Sequence, residues 1–246
     1  MSLSKINPTK TKTWKALLKK KLELDGVKII DLFDSSNNRL DKFSINFDNL
    51  FLDFSKNLMD EKTFDLLLEL CEECELKKNI KYLFNGNKIN ETESRSVLHT
   101  ALRDFELNSK VGDELSYDRE KIKKFTNDIL SGVIKGSTNK KITDVVNVGI
   151  GGSDLGPNMV VESLKFYETN LNCHFVSNVD GDHLSEILKN IKPETTVFII
   201  VSKTFTTQET LTNAKQIKDF LVNRSIKDIS KHFIGVTSNI QSAIEF

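Results

Sequence analysis

From Asp144 onward, short apolar runs alternate with helical stretches, and this constrains the fold more than any other feature of the chain. DVVNVGI, CHFVSNV, TTVFIIVS and HFIGVTS read as strands, with helices predicted over residues 157–167, 182–191 and 207–223 between them. Continuous apolar strands separated by helices are buried on both faces, which is the signature of parallel βαβ units. Right-handed crossovers then bring all four carboxyl ends to one edge of the sheet, where ligands of such sheets bind. The expected class is α/β: a three-layer parallel βαβ sheet preceded by a mainly helical N-terminal region.

The earlier part has a different texture. Trp14, Leu17, Leu18 and Leu22 recur at helical spacing, as do Phe64, Leu67, Leu68, Cys71 and Cys74 after a start at Asp60. Helices are also predicted over 94–103 and 121–133, and a short strand pair over 41–54. At about 150 residues per domain, 246 residues make one to two domains. The boundary is placed at the change of texture, giving a helical region 1–134 packed on an α/β domain 135–246.

Two strand exits carry unusual residues. The first is Gly149-Ile-Gly151-Gly152-Ser153-Asp154-Leu155-Gly156-Pro157. Its glycines permit a tight turn and close approach of an anion, and Pro157 suits the first turn of the next helix. A dinucleotide loop would need glycine at position 154, and a P-loop would need GK[ST]; both fail. The remaining alternative is a glycine-rich turn without a ligand. The second exit is Ser202-Lys203-Thr204-Phe205-Thr206-Thr207-Gln208-Glu209. Thr206 and Glu209 have capping-box spacing, which explains part of it. Capping does not explain why Ser202, Lys203 and Thr204 crowd the strand end. A phosphate monoester, with roughly −1.5 to −2 charges and three acceptor oxygens, suits hydroxyls, N–H groups and one ammonium. The residues point to a small phosphorylated ligand.

Other chemistries find less support. With 35 basic and 35 acidic side chains the net charge is zero, giving no global field for nucleic acid or an anionic membrane. No apolar run reaches the ~18 residues of a membrane span, and the start lacks a secretory pattern. Three sparse cysteines suggest a reducing compartment. Cys71 and Cys74 have CxxC spacing but lack the further ligands of a zinc site or the strand of a redox motif. They are read as ordinary helix residues. The expected setting is a soluble, cytoplasmic protein.

DVVNVGIGGSDLGPNMVVESL and FIIVSKTFTTQET resemble the two most characteristic segments of the glucose-6-phosphate isomerase family. Leu52-Asp-Phe-Ser-Lys-Asn57, the segment from Asn90 to Arg103, and Val176-Ser-Asn-Val-Asp-Gly181 are similar to further segments of that family, in the same order. The part from Asp144 is similar to its sugar isomerase (SIS) domain. The resemblance implies interconversion of glucose 6-phosphate and fructose 6-phosphate by a cytosolic homodimer needing no metal or organic cofactor. It assigns the substrate phosphate to Ser202, Lys203, Thr204 and Thr207, with Phe205 and Thr206 completing the loop. Gly152 and Ser153 would touch the sugar phosphate.

The family's chemistry opens the sugar ring and moves a proton between C2 and C1 through a cis-enediol. That requires a carboxylate base, an acid/base for the ring oxygen and a cation for the enediolate. The family's Glu, His, Lys and Arg belong to segments with no counterpart here. Glu209 is read as a helix-start residue, and His99 and Arg103 as packing and surface contacts. His174, His183 and His232 are not assigned catalysis. The chain is expected to hold the phosphate-binding half of such an enzyme, with catalytic groups downstream of Phe246, and to be inactive alone. The alternatives are a non-enzymatic sugar-phosphate-binding SIS module and, more remotely, an unrelated small-molecule transferase with the same anion loop.

Overall fold

Thr11 and Asp60 start the two longest helices of the amino-terminal part. The computed structural model describes residues 3–106, 110–167 and 170–246, which form two compact units, Met1–Leu115 and Ser116–Phe246. In the first unit, the Thr11 side chain accepts from Trp14 N at 3.1 Å and opens α1 (Lys12–Glu23). Two short helices follow, α2 (Ile29–Asp34) and α3 (Arg39–Lys42), then a hairpin of β1 (Ser44–Phe47) and β2 (Leu50–Asp53). Asp60 Oδ1 accepts from Thr63 N at 2.8 Å and opens α4 (Glu61–Glu73), which is followed by α5 (Leu76–Phe84). An N-cap of this kind is worth about 1 kcal/mol.

Cross-links join these elements. Thr13 Oγ1 donates to Glu73 Oε1 at 2.9 Å, and Lys20 pairs with Asp60 at 2.7 Å, so α1 lies along α4. Among the described residues, no carboxylate pairs with the buried Arg39 guanidinium. Instead it donates to the carbonyls of Ser55, Asn57 and Met59 at 2.8, 2.9 and 2.9 Å, beneath the Phe43 ring. Burying a charge is costly unless its donors are satisfied, and here the loop 55–59 satisfies them.

The helix expected over residues 94–103 does not form. Asn90 Oδ1 accepts from Thr92 Oγ1 and Glu93 N, Ser94 has φ of 53°, and Asn90 and Arg95 make an isolated antiparallel bridge. Local side-chain bonds of this type compete with helix formation. Only Ala101–Arg103 turns as a 3₁₀ helix, and the Arg103 guanidinium donates to the His99 carbonyl at 2.8 Å. The helix expected from Lys121 begins earlier: α6 spans Lys110–Ser131, and the division between units falls inside it.

The second unit is a four-stranded parallel sheet. Its elements run β3 (Asp144–Val148), α7 (Gly152–Ser163), β4 (Asn172–Val176), α8 (Gly181–Asn190), β5 (Thr196–Val201), α9 (Gln208–Asn223), β6 (Phe233–Val236) and α10 (Ile240–Glu245). The strand order is β4-β3-β5-β6, all pairs parallel. Alternation divides the strand side chains between two layers. Val146, Val148, Phe198 and Ile200 pack with Leu184 of α8 and Ala214, Ile217 and Leu221 of α9. Val197 packs on the other side with Ile129 of α6 and Ile142. Each of the Val, Leu, Ile and Phe side chains contributes roughly 1.5–3 kcal/mol when fully buried. This is the expected three-layer α/β arrangement.

At the amino ends of the strands, buried His232 places Nδ1 2.7 Å from the Thr196 carbonyl, while Ser137 N donates to Nε2 at 3.0 Å. A carbonyl only accepts and an amide N–H only donates, so Nδ1 is the donor and Nε2 the acceptor in these two bonds. His232 is thereby spent on tying the start of β6 to β5 and to Ser137.

Candidate functional site

The chain leaves β3 toward β4 on one side and returns to β5 on the other. Such a reversal opens a crevice at the carboxyl ends of the two central strands. Val148 is level with Ile200, so the turn after β3 and the loop after β5 leave neighbouring positions on the same edge. Both sequence motifs therefore stand at the reversal point.

The first turn demands glycine for steric reasons. A Cβ on Gly149 would lie 2.7 Å from the Ser153 carbonyl oxygen. Gly151 caps α7 with φ 60° and ψ −121°, a combination L side chains avoid. The helix begins at Gly152, not at Pro157 as its first turn would have required, so Pro157 stands inside it. A proline there leaves the carbonyl four residues back without its donor. The Asn147 side-chain amide, projecting from β3, donates to that Ser153 carbonyl at 3.0 Å. Gly152 is exposed and Ser153 half-buried at the positive end of the helix dipole.

The second loop divides its residues between core and surface. Ser202 is buried, and its hydroxyl lies 3.1 Å from that of Thr207. Lys203, Thr204 and Thr206 are exposed, with the Thr204 and Thr206 hydroxyls 2.6 Å apart. Phe205 turns the other way. It is 5% exposed, joins the α8/α9 core, and packs edge-on against Phe246 at 5.8 Å between centroids. Its φ of 54° is left-handed, a rare conformation for a bulky residue. The inward ring and strained backbone together raise the exposed residues around it.

The capping box expected at Thr206 and Glu209 is not built. Thr207 is the N-cap of α9, and its hydroxyl is paired with Ser202, so no side chain caps the helix. Glu209 is exposed in the first turn of α9. The carboxyl edge of β3 and β5 thus carries the amino ends of α7 and α9, with Lys203 and several hydroxyls in the loop after β5. Two dipole ends and one ammonium favour an anion.

A third segment, Thr237-Ser238-Asn239 at the exit of β6, was not singled out from sequence. The Lys203 carbonyl accepts from Ser238 N at 3.0 Å, Ser238 Oγ at 2.7 Å and Thr237 Oγ1 at 3.1 Å. The Thr204 carbonyl accepts from Asn239 Nδ2 at 3.1 Å. The carboxyl-edge rule that drew attention to β3 and β5 applies equally to β6 and would have found it.

Other candidate residues lie elsewhere. His174 and Asp144 pair at 2.9 Å toward the amino ends of β3 and β4. Cys71 and Cys74 are half-buried in and just after α4, while Cys173 is exposed. Among the described residues, no group of three His, Cys, Asp or Glu side chains could hold a metal ion, and no helix is long and apolar enough to cross a membrane.

The family model for phosphoglucose isomerase matches residues 53–246. A glucose-6-phosphate isomerase of Christiangramia forsetii is 49% identical over 251 aligned residues, covering 99% of this chain and 46% of that protein. The glucose-6-phosphate isomerase of Buchnera aphidicola subsp. Schizaphis graminum is 49% identical over 253, with the same coverage of 99% and 46%. The crystal structure of a glucose-6-phosphate isomerase from Chlamydia trachomatis matches with a TM-score of 0.72 at 26% identity, covering 95% of this chain and 45% of the other. The chain spans about half the length of the relatives it matches.

Proposed function

This chain belongs to the phosphoglucose isomerase family, and from that premise we propose that it supplies the phosphate-holding half of an aldose–ketose isomerase interconverting glucose 6-phosphate and fructose 6-phosphate. The carrying observation is the meeting of the β3 turn and the β5 loop at the reversal point of the sheet, beside two helix amino ends. Ser202, Lys203, Thr204 and Thr207 hold the phosphate, Thr206 and Phe205 shape the loop, and Gly152 and Ser153 meet the sugar. Each charge-assisted hydrogen bond is worth about 1.5–3 kcal/mol, so a few fix one end of a six-carbon chain. Gripping the phosphate at C6 orients C1 and C2, where the proton moves, without touching them. The base, ring-opening acid and enediolate cation come from parts of the family sequence without counterparts in these residues.

The cytosolic homodimer belongs to the same proposal. The outward Leu155, Met159 and Val160 of α7 support an apolar contact surface on this unit. Calorimetric titration tests the phosphate assignment: glucose 6-phosphate binds this chain and glucose does not. Equal behaviour of the two sugars would remove the phosphate from the site. A coupled assay is expected to show no turnover by these residues alone. Sustained turnover would place the catalytic groups within them.

A further inference from the structure

We infer that Asn239, assisted by Ser238, is a positioning residue that sets the phosphate loop in its binding shape before any anion arrives. The inference rests on the reading of Ser202–Thr207 as that loop.

The peptide unit is planar and trans, so its N–H points away from its own carbonyl. Holding the Lys203 carbonyl therefore orients the Thr204 N–H, and holding the Thr204 carbonyl orients the Phe205 N–H. Ser238 and Thr237 hold the first carbonyl with three donors, and Asn239 Nδ2 holds the second. Phe205 N in turn donates to the Ser202 carbonyl at 3.2 Å, closing the turn. Two consecutive peptide planes are thus pinned from the β6 side. Thr204 N–H faces away from that clamp, on the loop's other edge.

The pinning opposes a local preference. Left-handed backbone is disfavoured for an L residue, and Phe205 adopts it within this loop. Fixing the backbone of a free residue carries a further entropic cost. A loop left to find its shape on binding would charge both costs to the ligand. With the clamp, they are met when the protein folds.

Asn239 is suited to the task because both ends of its amide are engaged. Its Nδ2 holds the loop, its Oδ1 accepts from Ser242 N at 3.2 Å to cap α10, and its backbone N–H donates to Thr237 Oγ1 at 3.0 Å. One side chain couples the loop to the element after β6.

The two roles can be separated. Asn239→Ser keeps a capping oxygen but is too short to reach Thr204, whereas Asn239→Ala removes both functions. Each variant of this chain is titrated with inorganic phosphate and with glucose 6-phosphate, and melted without ligand. Asn239→Ser is expected to melt close to the unaltered chain yet bind both ligands about five- to tenfold more weakly. Ser238→Ala, which removes one of three donors to Lys203, gives a smaller loss. Unchanged phosphate affinity in Asn239→Ser overturns the inference, as does a loss of affinity that only tracks a lowered melting temperature across the series. If the unaltered chain binds neither ligand, the phosphate-loop reading itself fails, and the inference falls with it.

Discussion

Asn147 in β3 stands in for the hydrogen bond that Pro157 cannot make: its side-chain amide donates to the Ser153 carbonyl at 3.0 Å. In an unbroken helix that carbonyl would receive the N–H of residue 157. The asparagine satisfies the carbonyl that the proline leaves open. Asn147→Leu is expected to destabilise the chain by about 1–3 kcal/mol, the cost of an unpaired buried acceptor. In a Pro157→Ala background the new backbone N–H can donate, so the same change should cost clearly less. A urea double-mutant cycle measures the difference, and strict additivity would refute the compensation.

Phe205 should invert an ordinary ranking. Elsewhere glycine destabilises relative to alanine, but at φ 54° the alanine Cβ carries the strain and glycine does not. Both Phe205→Ala and Phe205→Gly lose about 3–5 kcal/mol of core packing. The glycine variant is expected to be at least as stable as the alanine variant, by up to about 1 kcal/mol. A higher urea midpoint for alanine would show that the left-handed backbone is not retained in solution.

Acid should loosen the sheet at its amino edge. Burial works to raise the Asp144 pKa. Hydrogen bonds from His174, Thr143 and Asn172, together with the charge of His174, outweigh it and hold the carboxyl below the usual range. A depressed pKa means the unfolded chain takes up the proton more readily. The stabilisation is therefore present above the unfolded value of about 3.9 and is lost as pH falls through the folded one. Asp144→Asn is expected to flatten the fall in urea midpoint below about pH 4. An unaltered pH profile would exclude this carboxyl as a contributor.

Lys203→Ala should weaken glucose 6-phosphate binding by roughly tenfold to over a hundredfold, the worth of one charge-assisted contact. Because the phosphate monoester has a second pKa near 6, affinity for the unaltered chain should rise as pH increases through about 6. The rise should be shallower in the alanine variant, which has lost a partner for the second negative charge. Calorimetry at two pH values checks both, and equal affinity of the two proteins would remove Lys203 from the site.

The sheet was legible because its central strands are buried on both sides and so remain apolar nearly throughout, as in Thr196–Val201. Strand order was not, since nothing in the residues says that β5 lies beside β3 and not beside β4. The two motifs were visible from the kinds of residue crowded at strand exits. Their internal geometry depended on partners far away in sequence. Asn147 satisfies a carbonyl in the first turn of α7, and the Thr207 hydroxyl is paired with Ser202 and not with the helix end. The segment 94–103 looked helical from its apolar spacing, yet Asn90, Thr92 and Glu93 satisfy one another locally. The Thr237–Asn239 clamp acts largely on carbonyls, which every residue carries, so little in the loop sequence records it.

The order β4-β3-β5-β6 also sets a timetable. β5 pairs with β3 across the intervening β4 and α8, and the clamp on Lys203 needs β6 beside β5. Contacts between segments so far apart in the chain form late and slowly. A phosphate ester added during refolding should therefore have nothing to bind until nearly all of this unit is assembled. From then on it slows escape from the finished state and leaves the rate of reaching it unchanged.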